Sequence, residues 1–573
     1  MAMSDYKPWC VKLISAFFVG AFVFLAAISL YNRRMMVLLF SHLSFYFIAA
    51  LVGLWFFLIV TRLKLSGVTP LSFIRSHWSG ILLAVGMTIL IFTSVPVCFK
   101  VLNDETNLLA VSQSMFYFKE AYRISGALNY HGALHPVLNE IPIRPLLFPF
   151  ATFLMHVISG YHWQNPFVVN FLTMIFFLIG VYAVSMRYTD TWTSSGAVIL
   201  ICSYPIFTIY GTSGSYDLFS AFFFFLSMAL LFLFLESPTD IGFALLWTNL
   251  LMFMNIRCES IIFFFLIIPV AAWWSRKAGC LNRKYFYVYA ATPLFMLPYF
   301  WQLFLSRGNY ENPPGVMLFS IHAFAIHLKV LVENFLNLDF LLPYNGISNL
   351  LSLICGVYLL SSIVQKKIIV KKEHFLFWAL FSASTIAMMV IILSHFLGVY
   401  NHPTQARLFL CFSIVCALAP VMVKAVSPKS ISSKGIFALS IILFIIYHPI
   451  ASKHEFINRL LTSRIQHESW KVLKNYAPDD VLILSAWSGQ YSACNYSSLP
   501  IWYANSRFPH LIEKLKDHRY QKIILIQETD AATGAVKFNN QVLSHKVNGT
   551  ILRQAEVIPG EILRISQITF NNL

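Results

Sequence analysis

The chain has 573 residues, of which 58% are apolar and 16% aromatic, while only 11% are charged. Soluble domains carry about 25% charged residues, so a soluble enzyme and a disordered scaffold are both excluded. Nine cysteines over this length are too sparse for a disulfide-built secreted module. The composition is that of a polytopic membrane protein, and whether the formal charge of +17 points to nucleic acid depends on where the charges fall.

Crossing ~30 Å of hydrocarbon takes roughly 20 mostly apolar residues. Runs of this kind occur near 12–31, 36–60, 80–99, 167–185, 195–209, 216–235, 241–256, 259–275, 286–305, 347–364, 375–394, 407–424 and 435–451. The first has no small-residue cleavage site and a second span follows at once, so it reads as an anchor rather than a signal peptide. About 13 transmembrane helices are therefore predicted. Cytoplasmic loops retain Lys and Arg. With the N-terminus inside, the inner segments hold 17 basic and 5 acidic residues, the outer loops 10 and 9, and the tail from Ser452 14 and 10. The basic excess is a topology signal, and no nucleic-acid partner is expected. The tail then lies outside, and a bacterial inner membrane with a periplasmic C-terminal domain is the expected setting.

Three units are predicted along the chain: an N-terminal membrane hairpin (1–79), a transmembrane catalytic core (80–451) and a small extracytoplasmic α/β domain (452–573). The outer loops 100–166 and 306–346 mix apolar helical stretches with Pro, Gly and Asn, which predicts re-entrant or interface-lying helices. In the tail, short β-like runs at 481–485, 522–526 and 561–568 flank a helical spacing at 508–519.

Ionisable residues are nearly absent from the spans and gather at their outer ends, which favours chemistry at the outer membrane–water boundary over ion-coupled transport. Asp104 and Glu105 stand together just after the third span, in VLNDETNLL. The alternative is a helix start, with Asn103 or Asp104 as cap and Glu105 complementing the dipole. In LNEIPIRPLLFPF, Pro142 and Pro145 stiffen the backbone around Arg144. A guanidinium fixed near the headgroups suits a phosphate, which it binds bidentately; the alternative is an arginine snorkelling to lipid phosphates. His131 and His135 lie in a loop without an evident third ligand, so no metal site is assigned and a divalent metal is unsupported. His395 and His402 fall close to the last motif described below.

An acidic pair after an early span, a juxtamembrane helix and a basic-Pro-x-Leu segment leading into a helix resemble the GT-C glycosyltransferases. The resemblance is narrower to the branch of protein O-mannosyltransferases and lipid A aminoarabinose transferases. SYPIFTIYGTSGSYDLFSAFFFF (203–225) resembles the family's Pro…Gly…Asp stretch and gives Asp217. NIRCES (255–260) resembles its Arg-x-Glu turn and gives Arg257 and Glu259, while NHPTQARLFL (401–410) resembles its late Arg-containing span entrance and gives Arg407. The resemblance covers about residues 95–450. It departs from the family in that the acidic pair follows the third span rather than the first.

The resemblance implies a GT-C-like fold and transfer of a sugar from a polyprenyl-phosphate donor to an extracytoplasmic glycan, lipid or protein acceptor. Asp104 would take the acceptor's proton, with Glu105 as fallback. Arg144, Arg257 and Arg407 would hold the leaving phosphate. Asp217 and Glu259 would orient sugar hydroxyls or hold those arginines, and His402 would touch substrate. The rival readings are an O-antigen polymerase or ligase, which would lean on outer Arg and His residues, and a non-enzymatic lipid-glycan flippase. The latter calls for polar midplane positions or internal repeats, which this sequence lacks.

Overall fold

The computed structural model describes residues 8–569 apart from 68, 131–132, 281–284, 307–316, 338–343, 366–370, 403, 428–430, 453–460, 508, 510–512, 514–519, 521, 539–540 and 545–546. The chain begins with α1 (Pro8–Tyr31), α2 (Arg33–Ser66) and α3 (Pro70–Ser94). Next come α4 (Leu102–Phe118), the strands β1 (Arg123–Tyr130) and β2 (Ala133–Glu140), and α5 (Leu147–Ser159). The bundle continues through α6 (Asn165–Tyr188), α7 (Thr191–Cys202), α8 (Pro205–Gly211), α9 (Asp217–Glu236), α10 (Asp240–Met254), α11 (Ile261–Lys277) and α12 (Phe286–Leu305). It closes with α13 (Ile321–Phe335), α14 (Gly346–Val364), α15 (Lys372–Ser394), α16 (Leu410–Val426) and α17 (Ser433–Ser452).

Each apolar run of the sequence is a helix among the described residues, and the protein is a polytopic helical membrane protein. Among the described residues ten helices are long and apolar enough to cross a membrane, or eleven if α7 and α8, bent by 71° to each other, are counted as one span. The bend falls at Tyr204, before Pro205: proline has no N–H for the helix ladder and disfavours helical backbone in the residue before it. The α1–α2 hairpin packs against α10 and α12, where Trp301 Nε1 donates to Ser29 Oγ (2.8 Å) and Trp55 Nε1 to Asn249 Oδ1 (3.2 Å). Indole N–H groups buried in an apolar bundle need such partners.

The segment between α3 and α6 carries helices, α4 and α5, and between them a feature the sequence reading lacks, the β1–β2 hairpin. The tail supplies α18 (Leu461–Leu473), β3 (Val481–Ser485), α19 (Ser488–Ala493), β4 (Ser497–Leu499), α20 (Ile501–Ser506), β5 (Lys522–Asp530), β6 (Asn548–Ile558) and β7 (Glu561–Thr569). The helical spacing predicted at 508–519 lies almost wholly outside the described residues. One seven-stranded sheet forms in the order β2-β1-β4-β3-β5-β7-β6. β3 pairs parallel with β4 and β5, and the hairpin joins antiparallel through β1. The sheet is therefore larger than the tail alone: residues 123–140, between α4 and α5, complete it.

The central β3, VLILS, is buried along its whole length between two apolar clusters, as expected of a strand covered on both faces. Because β1 and β4 pair only at Ala127 and Ser498, hydroxyls complete the seam. Ala127 N–H donates to Ser492 Oγ (3.1 Å), Asn129 N–H to Ser497 Oγ (2.8 Å), and Ser488 Oγ to the Ser125 carbonyl (2.6 Å). Buried backbone groups without ladder partners are satisfied this way. The same seam grips α4, since Gln113 Nε2 donates to the Ser492 carbonyl at 3.1 Å. The tail domain thus holds the helix on which the acidic pair sits.

Candidate active site

Five segments, each at the start of a helix or in the turn before it, converge at one end of the bundle. Asp104 lies in the first turn of α4. It is not a cap: α4 begins after Val101 with no side-chain cap, and the Asp104 carboxylate turns to two arginines instead. Arg144 donates to it through Nε (3.2 Å to Oδ1) and Nη2 (3.0 Å to each oxygen), and Arg407 donates through Nη2 to Oδ2. Arg407 also reaches Asp217, with Nη1 3.5 Å from Oδ2. Arg257 donates to Asp217 Oδ1 through Nη1 (2.9 Å) and to Glu259 Oε1 through Nε (2.5 Å). The result is one continuous chain of alternating charge: Arg144, Asp104, Arg407, Asp217, Arg257, Glu259.

Local structure fixes each member. Ser215 Oγ donates to Asp217 Oδ2 (2.5 Å), and Asn170 Nδ2 holds the turn before α9 by donating to the Ser213 (2.7 Å) and Ser215 (2.8 Å) carbonyls. The Arg257–Glu259 turn is tied by Ser260 Oγ, 2.6 Å from the Phe253 carbonyl and 2.7 Å from that of Arg257. The Leu147 N–H, three residues after Arg144, donates to the Asn255 carbonyl at 3.0 Å, and Gln302 Nε2 donates to the Ile143 carbonyl. The prolines around Arg144 therefore act with two tertiary hydrogen bonds. Exposure falls from Arg144 (24% accessible) and Asp104 (15%) to Asp217 (1%) and rises again to Glu259 (16%). The arrangement is closed at Asp217 and partly open at both ends.

Glu105 does not join the chain. It reaches back to accept the Lys100 backbone N–H at 2.8 Å, and its other carboxylate oxygen has no protein partner among the described residues. Burial pushes its carboxyl well above the ordinary range, against the smaller opposing pull of Lys100. Lys100 is itself fully buried and donates through Nζ to the Ile209 carbonyl and to Thr212 Oγ1 of the segment after α8. His402 also stands apart: it is exposed, and its Nδ1 pairs with Thr404 Oγ1 at 2.8 Å. His135 lies in β2, and His131 falls outside the described residues. No group of three or more His, Cys, Asp or Glu side chains placed to hold a metal occurs among the described residues.

Two residues belong here that sequence reasoning passed over. Tyr216, directly before Asp217, is buried with its ring 5.5 Å from the Arg257 guanidinium. Lys100, four residues before Asp104, is the buried cation at the foot of α4. Adjacency to the acidic motifs was the available signal for both.

Chemically, three guanidiniums on a stiff scaffold can cradle a phosphate, and an accessible carboxylate beside them can take a proton. The fold and site together define a multi-pass membrane protein with an ionic site at one end of its helix bundle. No protein-family model and no curated protein sequence matches the chain. Among solved structures, it is similar to ArnT from Cupriavidus metallidurans bound to undecaprenyl phosphate. That match has 10% identity and a TM-score of 0.49, covering 85% of this chain and 97% of that one. It is also similar to the oligosaccharyltransferase AglB from Archaeoglobus fulgidus in complex with an inhibitory peptide and a dolichol-phosphate, at 10% identity and a TM-score of 0.41, covering 79% and 69%.

Proposed function

We propose that this protein is an integral-membrane glycosyltransferase that moves a sugar from a polyprenyl-phosphate donor to a hydroxyl of an extracytoplasmic glycan, lipid or protein. The observation that carries this reading is the single chain of three arginines and three carboxylates. It is assembled from motif positions that are up to 303 residues apart in sequence, and it is partly open at Arg144 and Asp104. A flippase has no need for a fixed proton acceptor beside a phosphate cradle.

In this reading the acceptor oxygen attacks the anomeric carbon as the carbon–oxygen bond to phosphate breaks. The acceptor's proton passes to Asp104, a step that general-base catalysis accelerates by about 10²–10⁴-fold. The electron pair leaves with the phosphate, whose growing charge falls on Arg144 and Arg407. Preorganised donors of this kind are worth about 2.7–4 kcal/mol each. Glu259 and Asp217 aim Arg257, and Glu105 with Lys100 anchors the start of α4. In this reading the site lies on the extracytoplasmic face, and a bacterial inner membrane is the proposed setting.

The test is a transfer assay with the purified full chain and extracted polyprenyl-phosphate sugars. Wild type should release polyprenyl phosphate and glycosylate an acceptor fraction, and Asp104→Asn should not. Transfer that persists in the Asp104→Asn, Glu105→Gln double variant would rule out both carboxylates as base.

A further inference from the structure

The six-membered chain has no net charge: every guanidinium that a phosphate would use already holds a carboxylate. An arriving phosphate must therefore compete, and geometry decides with which carboxylate. Asp217 is 1% accessible and pinned by Arg257, Arg407 and Ser215. Glu259 is tied to the Arg257 guanidinium only two residues away. Asp104 is 15% accessible, about as open as Glu259 (16%), but both of its guanidinium partners come from other segments, Arg144 from the strand–helix linker and Arg407 from the entrance to α16, so no neighbour in its own turn holds it.

Resting on the glycosyltransferase reading, we propose that Asp104 is a built-in occupant of the phosphate site: it holds Arg144 and Arg407 while the site is empty, and a polyprenyl-linked phosphate displaces it from them and so frees it to act as base.

The two states differ in basicity for a stated reason. Burial alone would raise the Asp104 carboxyl, but the charges of Arg144 and Arg407 and their hydrogen bonds overturn this and hold it well below the usual carboxylate range. A carboxylate so clamped is a poor proton acceptor at neutral pH. When phosphate oxygens take the guanidinium N–H groups, that restraint is lost, and the proton affinity of Asp104 rises only once donor is bound. In turnover, the acceptor's O–H proton goes to an Asp104 oxygen, the glycosidic bond forms, and the sugar–phosphate bond breaks with its electron pair on phosphate. When polyprenyl phosphate leaves, Arg144 and Arg407 return to Asp104, which then loses its proton to water. Donor must bind before the acceptor is activated, so an unloaded site does not activate water or acceptor.

The experiment measures binding of undecaprenyl phosphate to the full-length chain in lipid nanodiscs. Asp104→Asn, which leaves both guanidiniums without a competing charge, should bind the probe about tenfold more tightly than wild type while transferring no sugar. That gain should disappear when Arg144→Gln and Arg407→Gln are added. Carbodiimide footprinting of the wild-type protein, which needs no variant to fold, should show Asp104 labelling rise when undecaprenyl phosphate is added. If wild type binds the probe but a folded Asp104→Asn binds it no more tightly, or Asp104 labelling does not rise, the displacement is wrong and the glycosyltransferase reading stands. If wild type does not bind undecaprenyl phosphate at all, that reading itself fails.

Discussion

Arg407 contacts both Asp104 and Asp217 and so joins the two halves of the ionic chain among the described residues, which makes its removal a sharp structural perturbation of the site. Arg407→Ala strips one partner from Asp104, which keeps Arg144, and one from Asp217, which keeps Arg257 and Ser215. Breaking a buried ion pair by deleting one partner costs about 3–5 kcal/mol. Because both carboxylates retain a second cation, and Asp104 is partly accessible, the low end, about 3 kcal/mol, is the expected loss. Arg407→Lys keeps the charge but loses the planar fork that spans two carboxylates, so it should fall between wild type and alanine. The assay is thermal unfolding of the full chain in one detergent, read by loss of the monodisperse peak on heating. The alanine variant should lose several degrees of apparent Tm and the lysine variant fewer, with sugar transfer falling at least a hundredfold in Arg407→Ala, since a leaving-group cation is worth about 2.7–4 kcal/mol. An alanine variant that melts with wild type and keeps its activity would refute the bridging role.

Three further outcomes are expected. Arg144→Gln should raise KM for the polyprenyl-phosphate donor more than it lowers kcat at saturating donor, and an unchanged dependence on donor concentration would count against phosphate contact. Glu105 has its carboxyl raised by burial to about 7, so the folded state holds a proton that the unfolded state releases near 4.3. Its contribution is fully present at low pH and is lost as pH climbs through about 7; the Tm of Glu105→Gln minus that of wild type should therefore grow between pH 5 and 7.5, and a flat difference would deny the shift. Gly398→Ala should destabilise the turn that ends α15 by about 1–3 kcal/mol, because a Cβ there would collide with the Ile392 carbonyl oxygen, a backbone atom with little room to move; a wild-type melting profile would contradict this.

The helical part of the fold was legible because each span is a long local apolar run, and length alone identifies it. The break between α7 and α8 falls inside one such run, and only Pro205 marks it. The β1–β2 hairpin was not legible. β1 joins residues some 370 positions away, through hydroxyls such as Ser492 and Ser497, and in β2 Pro136 argues against a strand by local rules. In the fold, β2 is an edge strand of the sheet, where a proline is tolerated. At the site, Asp104, Arg144, Asp217, Arg257, Glu259 and Arg407 were each named from their motifs, and the structure brings all six into one chain. What sequence order does not carry is the pairing pattern: that Asp104, rather than Glu105, faces the arginines follows from the helical rotation between adjacent residues of α4. Lys100 went unnoticed because a lysine at a span exit ordinarily reaches water, whereas here Ile209 and Thr212 enclose it.

The central claim is sugar transfer outside the membrane from a lipid-phosphate donor. Comparative mass spectrometry of the surface glycolipids, polysaccharides and glycoproteins of cells with and without this protein tests it most directly. The account predicts that one acceptor class lacks a defined sugar mass, restored by the wild-type chain and not by Asp104→Asn. Identical glycan profiles in all three strains, with the protein present in the membrane, would contradict it.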